Sequence, residues 1–327
     1  MSQDTFVAKH RPQWEAFELW LAEYDSSKRR DKAPPDPAAA ELPHLYRQIC
    51  HHLALARERH YSMQLTQYLN NLVMRGHQRL YASRRGSFGQ IARFAFATYP
   101  ALVRREWRLL ALCSLLFYGP LAGMWAAVSI YPEAVYTVMS PTDVGRMEEM
   151  YEPSVDRVGR ERGSDDDFMM FGFYISNNIG IGFRTFAGGV LFGLGTLFFL
   201  VFNGLFIGAV AGHLVEIGYA ETFLSFVVGH SALELTAIVV SGMAGLKLGH
   251  ALLLPGQRSR LRALREEGVV AVKLVYGAAL MLVGAAFVEA FWSSMSVVEP
   301  SVKYAVGASM WALVVAYLGL AGRGYAR

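Results

Sequence analysis

Two stretches of this chain run without a charged side chain for longer than a soluble core helix requires: residues 109–131, 23 in number, and residues 186–212, 27 in number. About 20 apolar residues cross the hydrocarbon layer as a helix, and only helices or closed barrels satisfy their backbone groups there without water. Three further runs are long enough to join them. Residues 222–246 contain His230 and Glu234; residues 268–292 are interrupted by Lys273 and Glu289 near the ends, where such side chains can snorkel; residues 304–322 close the set. Residues 168–183 form a shorter uncharged run with Ser176, Asn177 and Asn178 at its centre. As a helix it reaches about 24 Å, against about 30 Å of hydrocarbon. The fold class is therefore all-α: a polytopic helical membrane protein with five to six membrane-inserted segments, one of them short or re-entrant.

With 53% hydrophobic residues, the chain is too apolar for two ordinary soluble domains and for disorder. Its two cysteines, Cys50 and Cys113, lie far apart, which excludes a disulfide framework and a cysteine-ligated zinc site. There is no phosphate-binding glycine loop and no dinucleotide fingerprint, so neither ATP hydrolysis nor a cofactor is expected.

Residues 1–107 read as a cytoplasmic helical region without a cleavable signal pattern. Trp14, Phe17, Leu21 and Tyr24 recur at helical spacing, as do Leu45, Ile49, Leu53, Leu65, Leu69 and Leu72, with Pro34, Pro35 and Pro37 between the two sets. Two helical pieces joined by a loop are predicted. The region carries sixteen Lys and Arg against ten Asp and Glu, and its basic excess sharpens at Arg84, Arg85, Arg93, Arg104 and Arg105, with Arg108 just beyond. Residues 90–107 mix these arginines with Ile91, Phe94, Leu102 and Trp107, which suits a helix in the headgroup layer. Juxtamembrane arginines follow from the positive-inside rule, so no nucleic-acid partner is inferred from the basic charge.

Residues 108–327 form the transmembrane domain, with an acidic extracytoplasmic segment at about 132–167 that includes Glu148, Glu149, Glu152 and Asp156. Ser164 with Asp165, Asp166 and Asp167 has the composition of a helix N-terminus. The basic clusters Arg104, Arg105 and Arg108, then Arg258, Arg260, Arg262 and Arg265, both belong on the cytoplasmic side. Three crossings cannot join two points on one side. If residues 168–183 traverse, every cluster fits, the number of crossings is even, and both termini are cytoplasmic.

Gly204, Gly208 and Gly212 stand four apart, and Gly189 and Gly193 repeat that spacing earlier; Gly245 lies in the next run. Such a face lets helices approach closely in lipid, within the chain or between copies, so a homodimer is expected. Asn203, beside Gly204, needs a hydrogen-bond partner and should face protein.

His230 and Glu234 project from one helix face, and ionisable groups inside a membrane run are functional by default. With Asn203 and Glu289 they make a candidate intramembrane polar site. A proton or ion relay and a structural pair both fit these residue types. A metal centre needs three or four ligands, and this spacing supplies two unless Glu289 or His250 joins them, so none is expected. Ser231 lacks a nucleophile elbow and no zinc-protease motif is present, so no catalytic residues are assigned.

The segments Asn203-Gly204-Leu205-Phe206-Ile207-Gly208, Gly229-His230-Ser231-Ala232-Leu233-Glu234-Leu235-Thr236-Ala237-Ile238 and Gly242-Met243-Ala244-Gly245-Leu246-Lys247-Leu248-Gly249, with Asn177-Asn178 before them, resemble the stage II sporulation protein M family. The resemblance implies a multi-pass inner-membrane protein of the bacterial envelope. The family's namesake serves as an anchor in a complex with peptidoglycan-degrading partners, and no catalytic residues are established. Relatives in non-sporulating bacteria are encoded near MoxR-type ATPases and von Willebrand factor A-like proteins, and the long N-terminal region sets this chain with that group. The expected function is thus a non-enzymatic membrane anchor or assembly component in contact with membrane lipids and envelope partners. The alternative is a transporter or channel lined by His230, Glu234 and Asn203.

Overall fold

A computed structural model describes residues 1–29, 42–80, 88–153, 164–295 and 297–323. The prolines at 34, 35 and 37, the arginines at 84 and 85, Asp156 and the C-terminal Arg327 lie outside these residues. The chain divides into two compact units, Met1–Ser87 and Phe88–Arg327.

The first unit contains α1 (Gln3–Arg29), α2 (Leu42–Glu58) and α3 (Met63–Leu80). Its core holds Trp14, Phe17, Leu21, Ile49, Leu53, Leu65, Leu69 and Leu72 of the set the periodicity predicted, joined by Phe6 and Ala56, with Leu45 partly buried against it; the side chain of Tyr24 lies outside the described residues. The second predicted piece is two helices, because the chain turns at His60, whose φ is 51°, and the Ser62 hydroxyl then accepts the Leu65 backbone N–H. Inside the core, Trp14 Nε1 donates to His52 Nδ1 at 3.1 Å. Gly76 is fitted against the rings of Phe17 and Tyr46, 2.8 and 2.9 Å from where a Cβ would sit.

The second unit begins earlier than the sequence suggested. α4 (Phe88–Arg93), a π-helical turn (Phe94–Thr98) and α5 (Tyr99–Arg105) send Tyr99, Leu102 and Val103 into the core of the bundle. Tyr99 lies against Gly277 and donates to Met281 Sδ at 3.5 Å, while Arg104 donates to the Leu318 carbonyl at 2.7 Å. Burial of this inner face, with Ile91, Phe96 and Trp107 exposed, ties residues 88–107 to the bundle rather than to the region before them.

The bundle continues with α6 (Trp107–Ile130), α7 (Pro141–Tyr151), α8 (Ser164–Ala187), α9 (Leu194–Glu216), α10 (Ala220–Leu253), α11 (Arg260–Val288) and α12 (Pro300–Leu320). Among the described residues five helices are long and apolar enough to cross a membrane: α6, α9, α10, α12, and α11 extended to Ser293. Their outer faces carry exposed Leu112, Leu115, Phe198, Phe202, Leu280 and Leu313, the surface a lipid environment covers. α10 is the most enclosed of the five and packs on α6, α8, α9, α11 and α12.

Residues 168–183 do not turn back. They belong to α8, a continuous 24-residue helix that begins at Ser164 as predicted and is about 36 Å long. It follows α11 through Phe168–Phe291, Phe171–Phe287 and Asn178–Glu289 contacts, and its Gly182 meets Leu282 and Ser241. Contacts run in step along α6 and α9, making them parallel, while Asn178–Glu289 and His230–Ser293 make α8 and α10 antiparallel to α11. Among the described residues, α8 thus runs along the bundle beside the five long apolar helices.

The uncharged run 186–212 is broken where the sequence read it as continuous. α8 ends at Ala187, a 3-10 turn spans Gly188–Val190, and Phe192 (φ 53°) and Gly193 (φ 85°) reverse the chain into α9. Gly189 and Gly193 therefore do not share the face of Gly204, Gly208 and Gly212. They fit the turn against α10 at Gly245 and Gly249, and the Thr196 hydroxyl donates to the Thr185 carbonyl at 2.7 Å. Gly204, Gly208 and Gly212 lie on the α6 backbone at Phe117, Leu121 and Trp125. This glycine face is occupied within one chain.

Candidate functional site

His230 stands on α10 at 3% exposure, and Glu234 follows one turn later on the same face. His230 Nε2 lies 3.8 Å from Glu234 Oε2. The facing wall comes from α11, which departs from α-helical geometry into a π-helical turn, Glu289–Ser293. Such turns insert a residue into the helix, re-aim its side chains, and occur often at functional sites. Here the turn holds two of the site's residues. Glu289 enters the bundle at 9% exposure rather than snorkelling outward, and the Ser293 hydroxyl lies 3.1 Å from His230 Nδ1.

α8 and α12 complete the surroundings. Asn178 Nδ2 donates to Glu289 Oε2 at 3.4 Å, and the buried ammonium of Lys303 donates to the Ser293 carbonyl at 2.8 Å. His230, Glu234 and Glu289 each offer a ligand atom, all within 4.8 Å of one another. These three residues also line a cavity of about 520 Å³, shared with Tyr151, Trp125 and Trp311 among others. An apolar chamber with a few convergent polar groups is the usual form of a small-molecule or ion site.

Two of the three residues grouped with His230 from sequence are brought to it: Glu234 and Glu289. Asn203 is not, because its amide donates to the Phe199 carbonyl one turn back on its own helix at 2.6 Å. His250 lies elsewhere, lining a second cavity of about 470 Å³ with Arg105, Arg108, Lys247 and Arg258. Of the residues lining that cavity, Lys247 pairs with Glu106 and Glu267 at 3.0 Å each and Arg258 pairs with Glu266 at 2.8 Å; Arg262, outside the cavity wall, pairs with Glu266 at 2.9 Å. Arg260, Arg262 and Arg265 are exposed.

Ser293 and Lys303 were not singled out from sequence. The available signal was weak: Ser293 lies four residues beyond Glu289, a spacing that becomes informative only once the intervening turn is known to be π-helical. Asn178 was visible as a polar residue in an apolar run, without a partner to assign it. Ser293 has no exposed surface and is absent from the cavity wall, so the Ser293–His230 contact does not present a nucleophile to a substrate.

The fold and this site define a multi-pass helical membrane protein with a polar centre inside its bundle. The chain belongs to the Stage II sporulation protein M family, whose profile matches residues 112–294 and so takes in all three cavity-facing site residues. A second profile, Domain of unknown function (DUF8413), matches residues 4–82. The chain is similar to an uncharacterized protein, MJ0793, of Methanocaldococcus jannaschii, 28% identical over 119 residues that cover 36% of this chain and 67% of the archaeal one. No solved structure matches the chain.

Proposed function

We propose that this chain is the membrane-embedded component of an envelope-associated assembly in the bacterial cytoplasmic membrane, with both termini in the cytoplasm and the N-terminal unit as the docking module. The observation that carries this reading is the separate core of residues 1–87, which matches a profile of its own beside that of the membrane unit. A helical module with a hydrophobic core of its own is suited to present its outer surface to a partner. The partner class that fits the family resemblance is a MoxR-type ATPase, which would supply the energy this chain has no motif to supply. The Gly204–Gly212 face is covered by α6 of the same chain and is not the surface that meets a partner.

The test is cross-linking and affinity purification of the full chain beside a variant lacking residues 1–87, followed by reconstitution with the purified ATPase. Binding that requires residues 1–87 supports the reading. A variant that stays folded in the membrane and binds equally well refutes it.

A second reading, transport of a proton or small solute, is favoured by one observation: the cavity reaches His230, Glu234 and Glu289 inside the bundle. In proteoliposomes, Glu234→Gln should abolish a pH-dependent flux. Absence of flux for the unmodified protein across a broad panel of ions and solutes removes this reading.

A further inference from the structure

We infer that His230, Glu234 and Glu289 bind one divalent transition-metal cation of the zinc class, with a coordination position left open to the cavity. Imidazole nitrogen with carboxylate oxygens suits zinc, manganese, iron or cobalt better than the oxygen-only preference of magnesium or calcium. Three protein ligands and one open position is the arrangement of zinc sites that act on a ligand rather than merely hold a fold.

The distances are compatible with closure around an ion. Zinc sits about 2.0–2.2 Å from nitrogen and oxygen ligands, which places tetrahedral donors about 3.4 Å apart. His230 Nε2 and Glu234 Oε2 are already 3.8 Å apart, and all three donors lie within 4.8 Å. Side-chain rotations of Glu234 and Glu289 that move an oxygen by about 1 Å suffice, without backbone displacement.

The groups behind the ligands carry the inference further than the ligands alone. Metal-binding histidines use their second nitrogen on a neighbouring acceptor, which fixes the tautomer and turns the free lone pair to the metal. The 3.1 Å contact between His230 Nδ1 and Ser293 Oγ suits the tautomer in which Nδ1 donates, and that tautomer presents the Nε2 lone pair to the two carboxylates and the cavity. Glu289 is held in turn by the Asn178 amide, leaving its other oxygen for coordination. The same π-helical turn that aims Glu289 inward places Ser293 on His230, so ligand and support come from one local distortion.

Charge points the same way. Among the described residues no Lys or Arg pairs with Glu234 or Glu289, and the nearby Lys303 ammonium is committed to the Ser293 carbonyl. Two carboxyl groups this close inside a bundle call for a proton or a cation between them, because a buried charge without a partner is costly. His230, with a lone pair directed at the same point, is placed to coordinate that cation.

The experiment uses the full chain purified in detergent, stripped with a chelator, reloaded with Zn²⁺ alone and passed through size exclusion before metal analysis. One ion retained per chain is expected, with retention lost in Glu289→Gln and His230→Gln. Asn178→Ala should weaken binding about 10–100-fold, the usual cost of removing an outer-sphere partner. Co²⁺ loaded in place of zinc reads the site in the unmodified protein and does not depend on any variant folding. Intense visible bands of four-coordinate cobalt, displaced by Zn²⁺, support the site. Failure of the unmodified protein to retain zinc or to show those bands overturns it and leaves the carboxyl pair sharing a proton. Retention unchanged in Glu289→Gln overturns it too, placing the ion elsewhere. None of these readouts involves the ATPase or the flux assay, so this inference stands or falls apart from both functional readings.

Discussion

Gly208 tests the packing of α9 on α6 most directly. A Cβ on Gly208 would fall on the Leu121 carbonyl oxygen and within 3.0 Å of Leu121 C and Cα. These are backbone atoms of a neighbouring helix, so no side chain can rotate aside. Gly208→Ala therefore forces α6 and α9 apart by about 1 Å, a gap at which each atom pair along the seam forfeits a quarter to a half of its dispersion energy. Overpacking of a tight interface costs about 1–3 kcal/mol, and the separation extends beyond the substituted residue to Gly204 and Gly212, which puts the gross cost at the upper end. Better helix propensity of Ala over Gly returns about 1 kcal/mol. The net loss expected is about 2 kcal/mol, a factor of about 30 in the folded-to-unfolded ratio. The comparison is Gly123→Ala on α6, where nothing lies within 4 Å of the new methyl group and stability should hold or rise. Reversible unfolding in mixed micelles, with oligomeric state measured on the same samples, reads both effects. If Gly208→Ala unfolds at the wild-type midpoint while altering oligomeric state, the face is used between chains and the reasoning is wrong.

Three further predictions address other parts of the molecule. Burial, reinforced by His10 and His51, holds His52 well below the ordinary histidine range, at about 4. The folded unit therefore binds fewer protons than the unfolded chain, and stability is lost as pH falls from about 6.5 toward 4, by about 1–2 kcal/mol after allowing for solvent screening. Trp14 fluorescence, which reports on its hydrogen bond to His52, should follow that window, and His52→Gln should flatten the profile; an unchanged slope in the variant refutes the assignment. A chain starting at Phe88 should give a folded membrane unit, whereas one starting at residue 108 loses Tyr99, Leu102 and Val103. Tyr99→Ala alone should cost about 3–5 kcal/mol, the usual price of emptying an aromatic site, and equal thermal stability of the two truncations would count against it. Cysteines introduced at Ser140 and Ser259 should be labelled from opposite sides of the membrane if α8 traverses, and labelling of both from one side excludes six crossings.

The sequence by itself determined the class of fold and most of its elements. Uncharged runs of about 20 or more residues fit membrane helices and are far longer than the strands of a closed barrel, and Trp14 with Phe17, like Leu69 with Leu72, has the spacing of one face of its own helix, since both follow from local geometry. The start of α8 at Ser164 and the pairing of His230 with Glu234 were legible for the same reason. What sequence could not supply was everything set by contacts between distant segments. The run 186–212 gave no sign of its break, because Gly188, Gly189 and Gly193 are as compatible with a close-packed helix as with a turn, and only the approach of Gly245 and Gly249 decides between them. Asn203, equally polar, turned to its own helix, while Asn178 found Glu289 on α11, 111 residues away. Glu289 itself looked like an end-of-helix residue free to snorkel, and a π-helical turn carried it inward. Local chemistry fixes what each helix is; which of its faces meets a partner is a property of the assembled bundle, where a side chain's neighbours come from helices that sequence spacing does not relate.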